Sequence, residues 1–214
     1  MKYVNEELTV ENIKIKDIAK KFGTPAYCYS YKKLKENIGN FKRSFKSFSP
    51  LICFAVKSNS NFNLIKEIKK FGLGADVVSM GELMMALKSG IDPKKIVFSG
   101  VGKTAAEIEF AIEKKILLIN AESRSEIKEI ERIAKVKRKK IQIGIRLNPN
   151  TDPKTLKQIS TGKKENKFGV NDKTFFELVN YCKNSNFIDL KCLSVHIGSQ
   201  ILDHKPYEQM LRVV

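Results

Sequence analysis

From residue 51 onward, short aliphatic runs alternate with amphipathic stretches of helical period, and this alternation constrains the fold more than any single residue does. Strands are read at 51–56, 75–79, 95–99, 116–120, 141–147 and 190–197. Between them helices are read at 64–71, 81–89, 104–114, 122–136 and 172–183, and a further one starts at Tyr207. Strands alternating with helices of this size make βαβ units and a parallel sheet. No G-x-G-x-x-G joins a strand to a helix, which argues against an open dinucleotide-binding sheet. Several strands also carry two kinds of face. In Ile141–Leu147 the odd positions are aliphatic while Gln142, Gly144 and Arg146 share the other side, and Ser194 and His196 stand opposite Leu193, Val195 and Ile197. An aliphatic outer face under helices and a mixed polar inner face fit a barrel that opens on a ligand. A closed barrel of this type has eight units; six are read here, so the expectation is an incomplete (β/α)8 barrel.

The first of these strands, Leu51-Ile-Cys-Phe-Ala-Val56, runs straight into Lys57, and Ser58 to Asn61 then break the pattern. Alternation puts Cys53 and Ala55 on the side of Lys57, and the bulky Ile52, Phe54 and Val56 on the other. A small face bearing an amine suits the inside of a barrel. Desolvation there would lower the ammonium pKa and make the amine a better nucleophile. A solvent-facing lysine at a strand end is the plainer alternative. Ahead of this strand, Val10–Phe22 reads as a short helix, Ala26–Tyr29 as a strand, and the chain from the N-cap Ser30 as an amphipathic helix with Leu34, Ile38, Phe41 and Phe45 on one side.

The formal net charge of +17 raises the question of nucleic acid. Only six of the 40 basic residues are arginine, however, and the lysines are spread along nearly every segment. The densest run, Lys135–Lys140, falls at a helix C-terminus, where cations complement the dipole. A lysine-rich solvated surface is the expectation, with no nucleic acid as partner. Cys28, Cys53, Cys182 and Cys192 show neither CxxC nor zinc-ligand spacing, so no metal is expected. No signal peptide or membrane span is read, so the protein is expected in the cytoplasm with free thiols.

Lys57, Asp76, Arg146 and His196 all fall at or near the C-terminal ends of different strands, which in a barrel converge on one mouth. A desolvated lysine forms Schiff bases, an arginine holds an anion or a ring nitrogen, and a histidine lies flat on an aromatic ring or moves a proton. His196-Ile-Gly-Ser-Gln200 adds backbone N–H groups at Gly198 and Ser199, and the Ser199 hydroxyl, for a phosphate. Together these point to pyridoxal 5'-phosphate. Each residue also has a plainer reading: Asp76 as a turn cap, Arg146 as a salt-bridge partner, His196 as a satisfied core histidine.

These segments resemble the diaminopimelate decarboxylases, a family of the alanine-racemase-like class of pyridoxal-phosphate barrels. Phe54-Ala-Val-Lys-Ser-Asn-Ser60 is similar to the family's cofactor-lysine motif, and Gly74–Leu83 to the segment that brings an aspartate near the cofactor. Asn120–Ser123, Arg146–Pro149, Ser160–Gly162 and Lys167–Gly169 match in order, and His196–Gln200 resembles the signature whose histidine stacks on the pyridine ring and whose serine reaches the phosphate. The resemblance implies that Lys57 is the Schiff-base lysine and that Lys57 and His196 are catalytic. It implies that Asp76, Arg146, His196, Gly198 and Ser199 join Lys57 in binding the cofactor. It further implies decarboxylation of meso-diaminopimelate to L-lysine by a homodimer. Ornithine, arginine or carboxynorspermidine as substrate, or a single-barrel cofactor-binding protein, are the alternatives. Residues 1–29 are expected to lead into the barrel and the β-domain, and residues 30–214 to form part of the barrel. The family's later glycine-rich phosphate segment, its Glu-Pro-Gly-Arg segment and its C-terminal β-domain are not found in these 214 residues, so the chain alone is expected to be weak or inactive.

Overall fold

A computed structural model describes residues 1–156, 159–163 and 167–214. The chain forms two compact units, Met1–Pro50 and Leu51–Val214. The helix that begins after Ser30 groups with the first of them.

In the first unit β1 (Lys2–Val4), β2 (Glu7–Val10) and β3 (Ile13–Lys14) form an antiparallel meander, followed by α1 (Ile15–Phe22) and α2 (Tyr31–Ser44). Val4 pairs with Glu7 and Val10 with Ile13, so each hairpin turns on two residues. All four turn residues, Asn5, Glu6, Glu11 and Asn12, have positive φ, the backbone that two-residue hairpins need for their strands to twist together. The predicted helix over Val10–Phe22 therefore starts only at Ile15, because the Glu11-Asn12 turn places Val10 on a strand. Ala26–Tyr29, predicted as a strand, is irregular. Ser30 caps α2 as expected: its Oγ accepts from the Lys33 amide, and it donates to the Glu11 carboxylate at 2.6 Å. Of these fifty residues only Thr9 and Val10 are buried.

In the second unit β4 (Cys53–Ala55), β5 (Gly74–Val77), β6 (Ile96–Phe98), β7 (Leu118–Ala121), β8 (Ile141–Arg146) and β9 (Ile188–Ser194) make one sheet in sequence order, all neighbours parallel. A doubly wound sheet reverses its strand order part-way; this one never does, which makes it a partial (β/α) barrel. The connecting helices are α3 (Phe62–Lys70), α4 (Met80–Lys88), α5 (Ala105–Lys114), α6 (Arg124–Lys137) and α7 (Asp172–Lys183), with α8 (Lys205–Val213) after β9. Asn61, Ser79, Thr104, Ser123 and Asn171 cap α3 to α7 through their side chains, so each helix starts where the sequence offers an oxygen for its orphan amides. Ala75, Phe98, Ile119, Ile143 and Ile145 pack on Ile65, Leu83, Ile108, Ile127 and Leu178 of the helices in one core. The segment between β8 and α7 contains residues 157–158 and 164–166, which lie outside the described residues. Among the described residues no helix is long and apolar enough to cross a membrane. The basic run at the end of α6 is partly paired, Lys135 with Glu131 and Lys137 with Glu109 and Glu113.

Candidate active site

The C-terminal ends of the strands surround a hollow of ≈ 990 Å³. Lys57, Asp76, Arg146 and His196 all line it, so four of the six predicted site residues come together. The alternation read for the first strand holds. Leu51, Cys53 and Lys57 face the hollow, while Val56 is fully buried on the core side with Phe54 packed beside it. Lys57 itself lies past the strand, in a 3-10 turn over Val56–Ser58, and it is exposed. The expected loss of hydration is therefore corrected: β4 is an edge of the sheet, and the hollow is open beside it. His196 likewise lies two residues beyond the end of β9.

Asp76, on β5, accepts a 2.6 Å hydrogen bond from the Ser99 hydroxyl, and Ser99 accepts in turn from the Asn120 amide at 3.2 Å. Burial raises the Asp76 pKa, against the Ser99 hydrogen bond and the nearby Lys57, Arg146 and Lys103 cations, which favour the carboxylate. Among the described residues the side-chain oxygen of Asn120, Oδ1, is buried without a partner. It lies over Gly144, where an added Cβ would fall 2.3 Å from it, so glycine is required for the asparagine to reach across the sheet.

Arg146 is buried and committed. Its Nη1 donates to both Glu122 oxygens at 3.0 and 3.1 Å, its Nη2 to the His196 carbonyl at 3.3 Å, and the guanidinium lies 4.8 Å from the Phe168 ring centre. Glu122 also accepts from the Gly100 and Gly169 amides, at 3.1 and 3.2 Å. One carboxylate therefore ties the loops after β6 and β8 to the arginine. The salt-bridge reading of Arg146, left open by the sequence, is the observed one. Beside it the Lys103 side chain is buried, donating to Glu126 and to the Gly100 and Asn120 backbone carbonyls at 2.6 to 2.7 Å.

His196 is exposed overall, but protein packed along the ring still removes enough water to lower its pKa, and the Arg146 and Lys57 charges add to that. Its Nδ1 lies 2.8 Å from the Thr161 hydroxyl. Gly198 and Ser199 do not line the hollow. They lie against Pro153 and Ile159, the Ser199 amide donating to the Ile159 carbonyl at 3.2 Å. Of the donors expected for a phosphate, that amide is taken.

Glu122, Lys103, Ser99 and Thr161 were missed as site residues. None of the four carries a local signal, but carboxylates that neighbour them do. Ser79-x-x-Glu82, Thr104-x-x-Glu107 and Ser123-x-x-Glu126 are capping boxes in spacing, each placing a carboxylate at the start of a helix where a strand has just ended. Glu82 accepts from the Val78 amide and Glu126 from the Glu122 amide, each within its own strand–helix turn. Glu107 accepts from the Thr104 amide and also from the Met80 amide, which ties its unit to the one before.

Residues 31–214 match the family described as pyridoxal-dependent decarboxylase, pyridoxal binding domain. A diaminopimelate decarboxylase of Helicobacter pylori (strain J99) is 49% identical over 185 residues, 86% of this chain and 46% of the relative. One from Aquifex aeolicus is 41% identical over 214 residues, all of this chain and 50% of the relative. The solved structure of a Helicobacter pylori diaminopimelate decarboxylase in complex with L-lysine superposes with a TM-score of 0.90 at 45% identity, over 94% of this chain and 51% of that one. The chain spans about half the length of the curated relatives it matches.

Proposed function

The chain belongs to the pyridoxal-dependent decarboxylases, and from that premise we propose that it supplies the cofactor-binding part of a diaminopimelate decarboxylase, which converts meso-diaminopimelate to L-lysine. The observation that carries the reading is the convergence of Lys57, Asp76, Arg146 and His196 on one hollow at the strand ends. At ≈ 990 Å³ the hollow can take a phosphorylated pyridine together with an amino-acid substrate. The donor set fits as well: an accessible amine, a carboxyl whose charge burial disfavours, and an imidazole kept neutral. When bound, pyridoxal phosphate draws in the electrons left by the departing carboxylate.

Lys57 is the amine that attaches the cofactor, and its exposure leaves it free to exchange with a substrate amine. His196, neutral because its pKa is lowered, would hold the cofactor ring without adding a third cation beside Lys57 and Arg146. Arg146 acts as a Glu122-neutralised pair that shapes the wall of the hollow, while Asp76 faces the lysine across it. Gly198 and the Ser199 hydroxyl are assigned to the phosphate, although neither lines the hollow. In this reading residues 30–214 are the cofactor-binding part and residues 1–29 its lead-in. Diaminopimelate is preferred to ornithine or arginine because both curated relatives described above carry that name over most of this chain. A homodimer in the cytoplasm goes with the same reading.

Incubation with pyridoxal phosphate should give an absorbance band that Lys57→Ala abolishes. The band should then shift on addition of meso-diaminopimelate and much less with ornithine or arginine. A band that survives Lys57→Ala would overturn the cofactor assignment, and a preferential response to ornithine or arginine would overturn the substrate.

A further inference from the structure

The Thr161 hydroxyl touches His196 twice, at 2.8 Å from the ring Nδ1 and 2.8 Å from the backbone carbonyl of the same residue. A hydroxyl has one proton, and a carbonyl oxygen can only accept. The proton of Thr161 therefore points at the carbonyl, and the contact with the ring is bonded only if Nδ1 carries the hydrogen. The opposite arrangement would press two acceptors together at 2.8 Å.

The backbone holds the threonine in that place. Residues 159–162 run antiparallel to 196–199: the Thr161 amide donates to the Ile197 carbonyl at 3.0 Å, the Ser199 amide to the Ile159 carbonyl at 3.2 Å, and Ser160 bridges Gly198. Gly162 allows the approach, since a Cβ there would lie 2.9 Å from the Ile197 Cα. The Thr151 amide closes the loop from the other side by donating to the Gly162 carbonyl at 2.8 Å. The hydroxyl is thus positioned by chain segments rather than by its own rotamer alone.

We infer that Thr161 is a positioning residue for His196, fixing the imidazole in its Nδ1–H tautomer and leaving Nε2 as the ring's unprotonated acceptor. Among the described residues Nε2 has no hydrogen-bond partner. Which nitrogen of a histidine acts is set by the bond that the other one makes, so this contact decides which edge of the ring is available to a ligand in the hollow. The charged groups that act on the ring are Arg146, Lys57 and Glu122. The two cations oppose a second ring proton while Glu122 favours one, and burial sides with the cations. The role of Thr161 in the reaction rests on the function proposed above, but the tautomer itself does not.

The chain has two histidines, His196 and the exposed His204, so ¹⁵N-histidine labelling gives two imidazole patterns. At neutral pH His196 should show the Nδ1–H pattern. Thr161→Val should move the tautomer ratio toward Nε2–H by about fivefold, the equilibrium worth of one net hydrogen bond. Thr161→Ser, which keeps the hydroxyl, should restore it. A wild-type Nε2–H pattern overturns the inference and needs no variant to read. An unchanged ratio in Thr161→Val overturns it too, as does failure of Thr161→Ser to restore the ratio. Loss of the Lys57-dependent cofactor band with the Nδ1–H pattern intact would instead count against the proposed function alone.

Discussion

The two sides of the hollow are built differently. On the β6–β8 side, Lys103, Glu122, Glu126 and Arg146 are charged side chains withdrawn from water, and all are paired and hydrogen-bonded. On the β4 and β9 side, Lys57 and His196 stand exposed on segments just past their strands. Buried pairs hold their geometry because breaking one leaves a charge stranded in protein. An exposed group such as the Lys57 amine moves at little cost, and among the described residues the exposed His196 ring is held only through Thr161. The comparison teaches a division of labour: one wall fixes the shape of the hollow, and the other presents groups that can react.

Breaking the rigid wall should have the largest effect. Glu122→Ala strands Arg146 and two loop amides, and should cost about 3–5 kcal/mol, read from urea unfolding; a loss under about 1 kcal/mol would mean that the wall does not depend on the pair. Gly144→Ala drives a methyl group against the Asn120 carbonyl and should cost about 1–3 kcal/mol by overpacking, with the same measurement.

Asp76 tests the boundary between the walls through pH. Its folded pKa lies above the unfolded value of about 3.8, so between the two the native state holds a proton that the unfolded chain has lost. The stabilising contribution is full below the unfolded value and disappears as pH rises through the folded one. Urea midpoints should carry this decline in the parent and lack it in Asp76→Asn. A decline that persists in the variant would place its origin elsewhere. On the exposed wall the smallest change is expected: Lys57→Ala should alter stability by no more than about 0.5 kcal/mol. It also removes a cation that lowers the pKa of both Asp76 and His196, so both should rise in an NMR titration. Unmoved values would separate Lys57 from the other two groups.

Much of the barrel was legible because its signals are local. Aliphatic runs, helical periods and capping residues each act within a few positions, and the strands and helices after residue 51 fall within a few residues of where they were read. The amino-terminal meander was not, because its turns carry Asn-Glu and Glu-Asn in place of the glycine-containing pairs that announce such hairpins. Lys57 was found, but its exposure was not, since alternation gives a side and says nothing of how far a hollow is open.

The sequence by itself determined the order of strands and helices, the two faces of each strand and the lysine at the end of the first, because periodicity and capping are properties of neighbouring residues. Only the tertiary structure decided that Arg146 would be spoken for. The parallel register sets Ala121 beside Ile145, which brings Glu122 and Arg146 together one step further on, although they are 24 positions apart in the chain. Pairing across a sheet depends on which strands meet and in what register, and no short stretch of chain contains that information.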